Sequence, residues 1–313
     1  MRFVLLYFFT FGLINNALGE DRASTKDTLQ FIVIGDWGTP DSEAQKQVAA
    51  QMNKLAASTR IDFITTTGYN FYYKGVLSVA DPLWRNTFEN IYSLPALKKI
   101  PWYVTLGNHD YMGNIYAQIE YGKSHVNWIL PHTYYSSEFK IGKHASVSFL
   151  FLDTNPFLEE YQLSPDLYYH IEAQNTSAQL NWMNKTLDES HATWRIAIGH
   201  HPVYSAGLHG DTEELKHVLP QLFEQHNVQA YFAGHDHHLE HYQLAGTTHY
   251  FISGSGSRPR TVAKRKYSQF VESSLGFAHV VLDNTCMQLR FINEKGKELY
   301  RTRIAVDKGK QCS

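Results

Sequence analysis

The sequence predicts an α/β protein whose chain supplies a second sheet packed on the first. Three observations predict it. Short apolar runs rich in Ile, Val, Phe and Tyr recur through the first 235 residues, and several end in glycine. Stretches with helical spacing and helix-start signals lie between them. From Thr248 onward the alternation gives way to consecutive strand-like runs with short turns. Alternation of strand and helix marks an α/β sheet, and a β-rich tail adds strands without helices.

The strand-length runs are Phe31–Ile34, Asp62–Thr67, Trp102–Leu106, Val147–Leu152, Trp194–Ile198 and Gln229–Ala233. Between the first two, Ser42 and Gln45 read as a capping box ahead of Ala44, Val48, Met52 and Leu55 on one helix face. Asp81-Pro82 reads as an N-cap with proline at the first helical position, followed by Leu83, Thr87, Phe88 and Ile91. Thr176 and Gln179 give another capping box before Leu180, Met183 and Leu187. Glu213–Gln225 repeats the helical pattern through Leu215, Val218, Leu219, Leu222 and Phe223. In the tail, His249–Ser253, Ala278–Leu282, Met287–Ile292 and Glu298–Ile304 read as strands of the second sheet.

Residues 1–19 read as a cleaved secretory signal. Arg2 gives a positive start, Phe3–Ile14 an apolar run, and Ala17-Leu18-Gly19 a small-x-small cleavage site. The mature chain is then 20–313, expected as one domain, secreted or lysosomal. No later stretch is long and apolar enough for a membrane span, and the polar C-terminal end does not read as a lipid-anchor signal. The formal net charge of −2 gives no basis for a nucleic-acid partner. Cys286 and Cys312 either pair or leave Cys286 as a free thiol inside a strand. The sequons at Asn175 and Asn184 are candidate N-glycan sites.

Polar residues gather just after the strands. Asp36, Tyr69 and Tyr72, Asn108 and His109, His200, and His235 and His237 each follow a strand and a glycine. In an open α/β sheet the crevice beyond the carboxyl ends of the strands binds ligands. Taken singly, each is an ordinary turn residue or a partly buried histidine. Together, carboxylate, phenol, amide and imidazole make a donor set suited to Fe, Zn or Mn.

The blocks Gly35-Asp36-Trp37-Gly38, Gly68-Tyr69-Asn70-Phe71-Tyr72, Gly107-Asn108-His109-Asp110, Gly199-His200-His201-Pro202 and Gly234-His235-Asp236-His237 resemble, in order and spacing, the five motifs of purple acid phosphatases. The chain looks most like their small, single-domain, tartrate-resistant animal type, from about Gln30 to its end. The resemblance implies two packed mixed sheets flanked by helices, the four-layer αββα sandwich of metallophosphoesterases. It implies Asp36, Tyr72 and His237 as ligands of Fe(III), and Asn108, His200 and His235 as ligands of a divalent Fe, Zn or Mn. His109 and His209 are implied as catalytic histidines beside the substrate. The implied reaction is phosphomonoester hydrolysis by a metal-bound hydroxide at a binuclear centre. His238 and His241 match no ligand position, so their replacement is expected to do little.

Two departures accompany the resemblance. The family's bridging Asp is here Tyr69, which offers one oxygen instead of two and a pKa near ~10. Three outcomes follow: a phenolate ligand, a site with one metal weak or missing, or a catalytically inactive phosphatase-fold scaffold or binding protein. The segment from Asp153 to Asn175 is aromatic and lacks the cysteine of the animal enzymes. It reads either as a self-packed surface loop or as a lid over the site.

Overall fold

The computed structural model describes residues 27–307 and Cys312. The expected signal, residues 1–19, lies outside them. Fourteen strands are described: β1 (Leu29–Ile34), β2 (Phe63–Thr66), β3 (Trp102–Tyr103), β4 (Trp128–Ile129), β5 (Tyr135–Ile141), β6 (Ala145–Phe151), β7 (Trp194–Ile198), β8 (Ala230–Ala233), β9 (Leu239–Tyr242), β10 (His249–Ser253), β11 (Ser268–Glu272), β12 (Gly276–Leu282), β13 (Cys286–Asn293) and β14 (Glu298–Ala305). They form two mixed seven-stranded sheets, β14-β13-β12-β1-β2-β3-β4 and β11-β9-β10-β8-β7-β6-β5. Helices flank the pair, as the sequence predicts.

Phenylalanines from both sheets meet between them. Phe31 stacks on Phe63 at 4.9 Å and meets Phe149 edge-on at 5.3 Å and Phe232 at 6.3 Å. All four are buried, and each fully buried Phe contributes roughly 1.5–3 kcal/mol relative to exposure. Alternation along β6 sends Val147, Phe149 and Phe151 into this core and Leu150 to the opposite face, where Leu152 joins it. There Met183 and Leu187 of the helix Thr176–Glu189 pack with Leu219, Leu222 and Phe223 of the helix Leu219–Gln225.

The tail corrects one expectation. Only β10 and β11 enter the second sheet; β12, β13 and β14 extend the first, because β12 pairs antiparallel with β1 from Leu29↔Leu282 to Val33↔Ala278. Local details differ too. Glu213–Gln225 is not one helix but two, Glu213–Lys216 and Leu219–Gln225, because Pro220 lacks an N–H and crowds the preceding turn. The helix Thr176–Glu189 is capped by Asn175, whose Oδ1 accepts from Ala178 N at 2.9 Å, not by Thr176. Gln179 is thereby freed to bridge Asp153 N and Asp153 O. Ser42 does cap Glu43–Ser58, but Gln45 reaches Thr87 O instead of returning to the cap. Cys286 and Cys312 form a disulfide.

Candidate metal centre

The parallel strands β1, β2 and β3 of one sheet and β7 and β8 of the other end in the same place. Each carboxyl end releases a short turn, and the turns carry the motif residues. Three of these residues, Asp36, Tyr69 and His235, lie at positive φ of 57°, 54° and 66°. Such backbone is costly for side chains other than Gly, Asn or Asp, and it clusters where function constrains the chain. Gly68, at φ +90°, has no alternative. A Cβ there would lie 2.5 Å from His200 Nδ1. Asp110, quoted within a motif but given no role from sequence, ties two turns together. Its carboxylate accepts from Asn70 N, Phe71 N and Gly107 N at 2.8–3.2 Å.

The donor atoms fall into two groups. In the first, Tyr72 Oη lies 3.0 Å from His237 Nε2 and 3.4 Å from Asp36 Oδ1, which is 3.5 Å from His237 Nε2. In the second, His200 Nε2 lies 3.2 Å from both Asn108 Oδ1 and His235 Nδ1. All six residues are buried. Donor bonds of ~2.1 Å around one cation place neighbouring ligand atoms ~3.0–3.4 Å apart, so both groups match the edge of a coordination shell.

The protonation pattern also fits cations. His200 Nδ1 can only donate to Thr67 O, at 2.7 Å, which leaves Nε2 as a lone pair facing the Asn108 oxygen. Two acceptors so placed repel unless positive charge lies between them. Burial, with lesser pushes from neighbouring imidazoles, drives His200 and His235 well below the usual histidine range; burial, then the Arg260 charge, drives His237 down to about 3. All three are therefore neutral near pH 7, the form that can meet a cation. Burial likewise pushes the Asp36 carboxyl well above its usual range, against hydrogen bonds from His235 N and Tyr72. His237 Nδ1 is buried without a protein partner. A buried carboxylate among neutral imidazoles is the environment that a cation relieves.

Tyr69 stands between the two groups. Its ring centroid lies 4.2 Å from that of His200, 4.5 Å from His109, 4.8 Å from Tyr72, 5.8 Å from His235 and 6.0 Å from His237. Its hydroxyl is 3.1 Å from His235 Nδ1. Burial and the Asp36 charge push its phenol well above the ordinary range, so it stays neutral unless a cation draws off the proton. A bulky, neutral phenol therefore stands between the two donor groups.

His109 directs Nδ1 to Tyr73 O at 2.6 Å. His209 is exposed on the rim, its N–H held by Asp236 Oδ1 and its ring 4.3 Å from that of His235. His201 lies near His200 and His235, but Thr154 Oγ1 and Tyr161 Oη take both its nitrogens at 2.9 and 3.1 Å. Tyr161 belongs to the aromatic segment 153–175. Its ring packs on Tyr168 at 4.3 Å, so this segment leans on the site through His201. Sequence reasoning gave His201 no role, left the aromatic segment that holds Tyr161 as either a self-packed loop or a lid, and missed Arg260, whose Nη1 donates to His209 Nε2 at 3.0 Å. No spacing signal marks Arg260, which comes from a loop far along the chain. His238 and His241 belong to neither donor group and have partners of their own. His238 is paired with buried Glu240 at 2.9 Å, and His241 sits between Tyr300 Oη and His249 Nδ1.

Residues 29–239 match the family described as calcineurin-like phosphoesterase. The chain is 41% identical to Purple acid phosphatase 3 of Arabidopsis thaliana, over 75% of this chain and 65% of that protein, just under two thirds of its length. It is 35% identical to Tartrate-resistant acid phosphatase type 5 of Oryctolagus cuniculus, over 88% of this chain and 91% of the relative. Among solved structures, one described as "GAP50 the anchor in the inner membrane complex of Plasmodium" superposes with a TM-score of 0.79 at 28% identity, covering 90% of each chain.

Proposed function

The chain belongs to the calcineurin-like phosphoesterase family, within its purple acid phosphatase branch, and on that premise we propose that it is a metal-dependent acid phosphatase acting on phosphomonoesters. The observation that carries the proposal is the convergence of two three-residue donor groups from five strand ends. In this reading Asp36, Tyr72 and His237 hold Fe(III), which carboxylate and phenolate oxygens suit. Asn108, His200 and His235 hold a divalent Fe, Zn or Mn. The cations, when bound, supply Lewis acidity toward the phosphoryl oxygens and an activated water.

The chain's own residues do the rest. His109, oriented by Tyr73 O, keeps Nε2 for a proton that passes to the leaving alkoxide oxygen, worth ~10²–10⁴-fold when well placed. His209, held by Asp236, serves the same task from the rim. Asp110 and Gly68 hold the turns at the spacing that the donors need. Tyr69, in place of a bridging carboxylate, weakens the centre.

Supporting proposals concern the chain's route and dress. Residues 1–19 direct it into the secretory pathway, toward secretion or the lysosome, and 20–313 form the mature unit. N-glycans attach at Asn175, which is exposed, and at Asn184, whose amide must leave Leu180 O and His226 to accept one. Among the described residues no helix is long and apolar enough to cross a membrane.

A second reading is a phosphatase fold retained as a binding or anchoring scaffold. Tyr69 favours it, and so does the 28% identity to a protein described as an anchor. Elemental analysis of the purified protein beside turnover of an aryl phosphate separates the two. Two metals per chain with chelator-sensitive turnover support the phosphatase. A metal-free protein that stays inert after reloading supports the scaffold.

A further inference from the structure

The loop 254–260 runs along the mouth of the cleft and is stitched to two of its turns. Gly256 N donates to Gly35 O at 3.0 Å, and Ser257 Oγ donates to Asp36 O at 2.6 Å. Arg260 N then donates to His237 O at 2.7 Å. The Arg260 backbone is therefore fixed beside the His237 turn, and only its side chain remains to be placed. That side chain swings to His209, where Nη1 donates to Nε2 at 3.0 Å. Its positive charge is felt by all three residues of the first donor group, Asp36, Tyr72 and His237, and by Tyr69 and His109 beside them.

Among the described residues no carboxylate lies within ion-pair distance of this guanidinium. Asp236, the acid nearest in sequence to the rim, is already committed to Ser205 Oγ and His209 N. Because His209 Nε2 accepts from arginine, its hydrogen is on Nδ1, which makes it a second donor. The remaining guanidinium N–H groups and His209 Nδ1–H thus stand at the rim without an acceptor among the described residues. Guanidinium donors in a fixed fork match the paired oxygens of a phosphoryl group.

We propose that Arg260 and His209 form an anion clamp at the mouth of the cleft, which holds the phosphoryl oxygens of a phosphomonoester, or inorganic phosphate, without requiring a bound metal. The clamp rests on the reading of the cleft as a phosphoester site, but not on the presence of two cations. It gives this chain a way to retain its ligand where Tyr69 has weakened the metal centre.

The test is calorimetric titration of inorganic phosphate into protein stripped by chelation, with metal content verified as nil. The natural protein is expected to bind saturably at one site per chain. Arg260→Ala is expected to bind at least ~10-fold more weakly, because one charge-assisted bidentate contact is lost. Arg258→Ala removes the same charge from the same loop and is expected to change binding by less than ~2-fold. Should Arg260→Ala fail to fold, Arg260→Gln reads the same loss with a side chain of similar length. Saturable binding that is equal in the natural protein and the Arg260 variant overturns the clamp. So does an equal loss in both arginine variants, or an absence of metal-free binding. Turnover after metal reloading is recorded separately. Metal-free binding without turnover leaves the clamp standing and removes the phosphatase reading, whereas turnover without metal-free binding does the reverse.

Discussion

Tyr69→Asp separates the two readings of this protein. Three terms change together. Tyr69 lies at φ +54°, a conformation that costs an ordinary L-residue ~1–2 kcal/mol but that Asp tolerates through local hydrogen bonds. The backbone therefore gains part of that sum. The ring that now packs against His200 at 4.2 Å and His109 at 4.5 Å is removed, which opens the space between the donor groups. A second buried carboxylate is added near Asp36, whose own carboxyl burial already pushes up. Without cations that charge is unpaired and costs ~3 kcal/mol or more. With cations it is the shared anion that the other donors lack.

The variant should therefore depend on metal more than the natural protein does. Chelation should lower its melting temperature by roughly 5 °C more than that of the natural protein, at ~1.5–2 °C per kcal/mol for a chain longer than 250 residues. Elemental analysis should find two metals per variant chain. Aryl phosphate turnover should rise at least ~10-fold, equivalent to ~1.4 kcal/mol of transition-state stabilisation. The reasoning is refuted if the natural protein already holds two metals and the variant is no faster. Two metals in the variant with no turnover would place a further defect in the site and favour the scaffold.

Three more outcomes are expected. His200→Ala or His235→Ala opens a coordination position and should lower divalent-metal content and abolish turnover, while His191→Ala, at an exposed position, should change neither. Burial pushes the Asp153 carboxyl up to about 6, against hydrogen bonds from Tyr111 and Asn155. The folded state thus binds the proton more tightly than the unfolded chain. Stability from this group is full below about pH 4 and is lost as pH rises through 6, for a total of about 3 kcal/mol. Urea unfolding at pH 4 and pH 7 should show Asp153→Asn improving relative to the natural protein by that order as pH rises; a constant difference would contradict the assignment. Replacing Cys286 and Cys312 together by Ser should cost ~3 kcal/mol in the same assay, from the entropy of a loop spanning 26 positions. A loss below ~1 kcal/mol would mean that the tail adds little.

Local chemistry made much of this molecule legible in its sequence. Trp194–Ile198 is a strand buried at every position but Arg195, and Ser42 and Asp81 cap the helical segments that follow them. Both signals depend on residues within a few positions of each other. The motif residues were legible as well, because each follows its own strand and glycine. Sequence could not assign the tail to a sheet, since β12 reads the same whichever neighbour it pairs with. Only the pairing with β1 decided it. The break at Pro220 and the diversion of Gln45 to Thr87 likewise turned on which neighbour offered the better partner.

The sequence by itself determined which donors the chain carries and that a phenol stands where a carboxylate is expected, because those are matters of residue identity and order. Tertiary structure decided that the Tyr69 ring lies among five site residues, that His201 is bound by Thr154 and Tyr161, and that Arg260 reaches the cleft beside His209. Those facts depend on loops far apart in the chain meeting at the ends of two sheets, where distance and burial, not neighbouring residues, set each group's charge and reach.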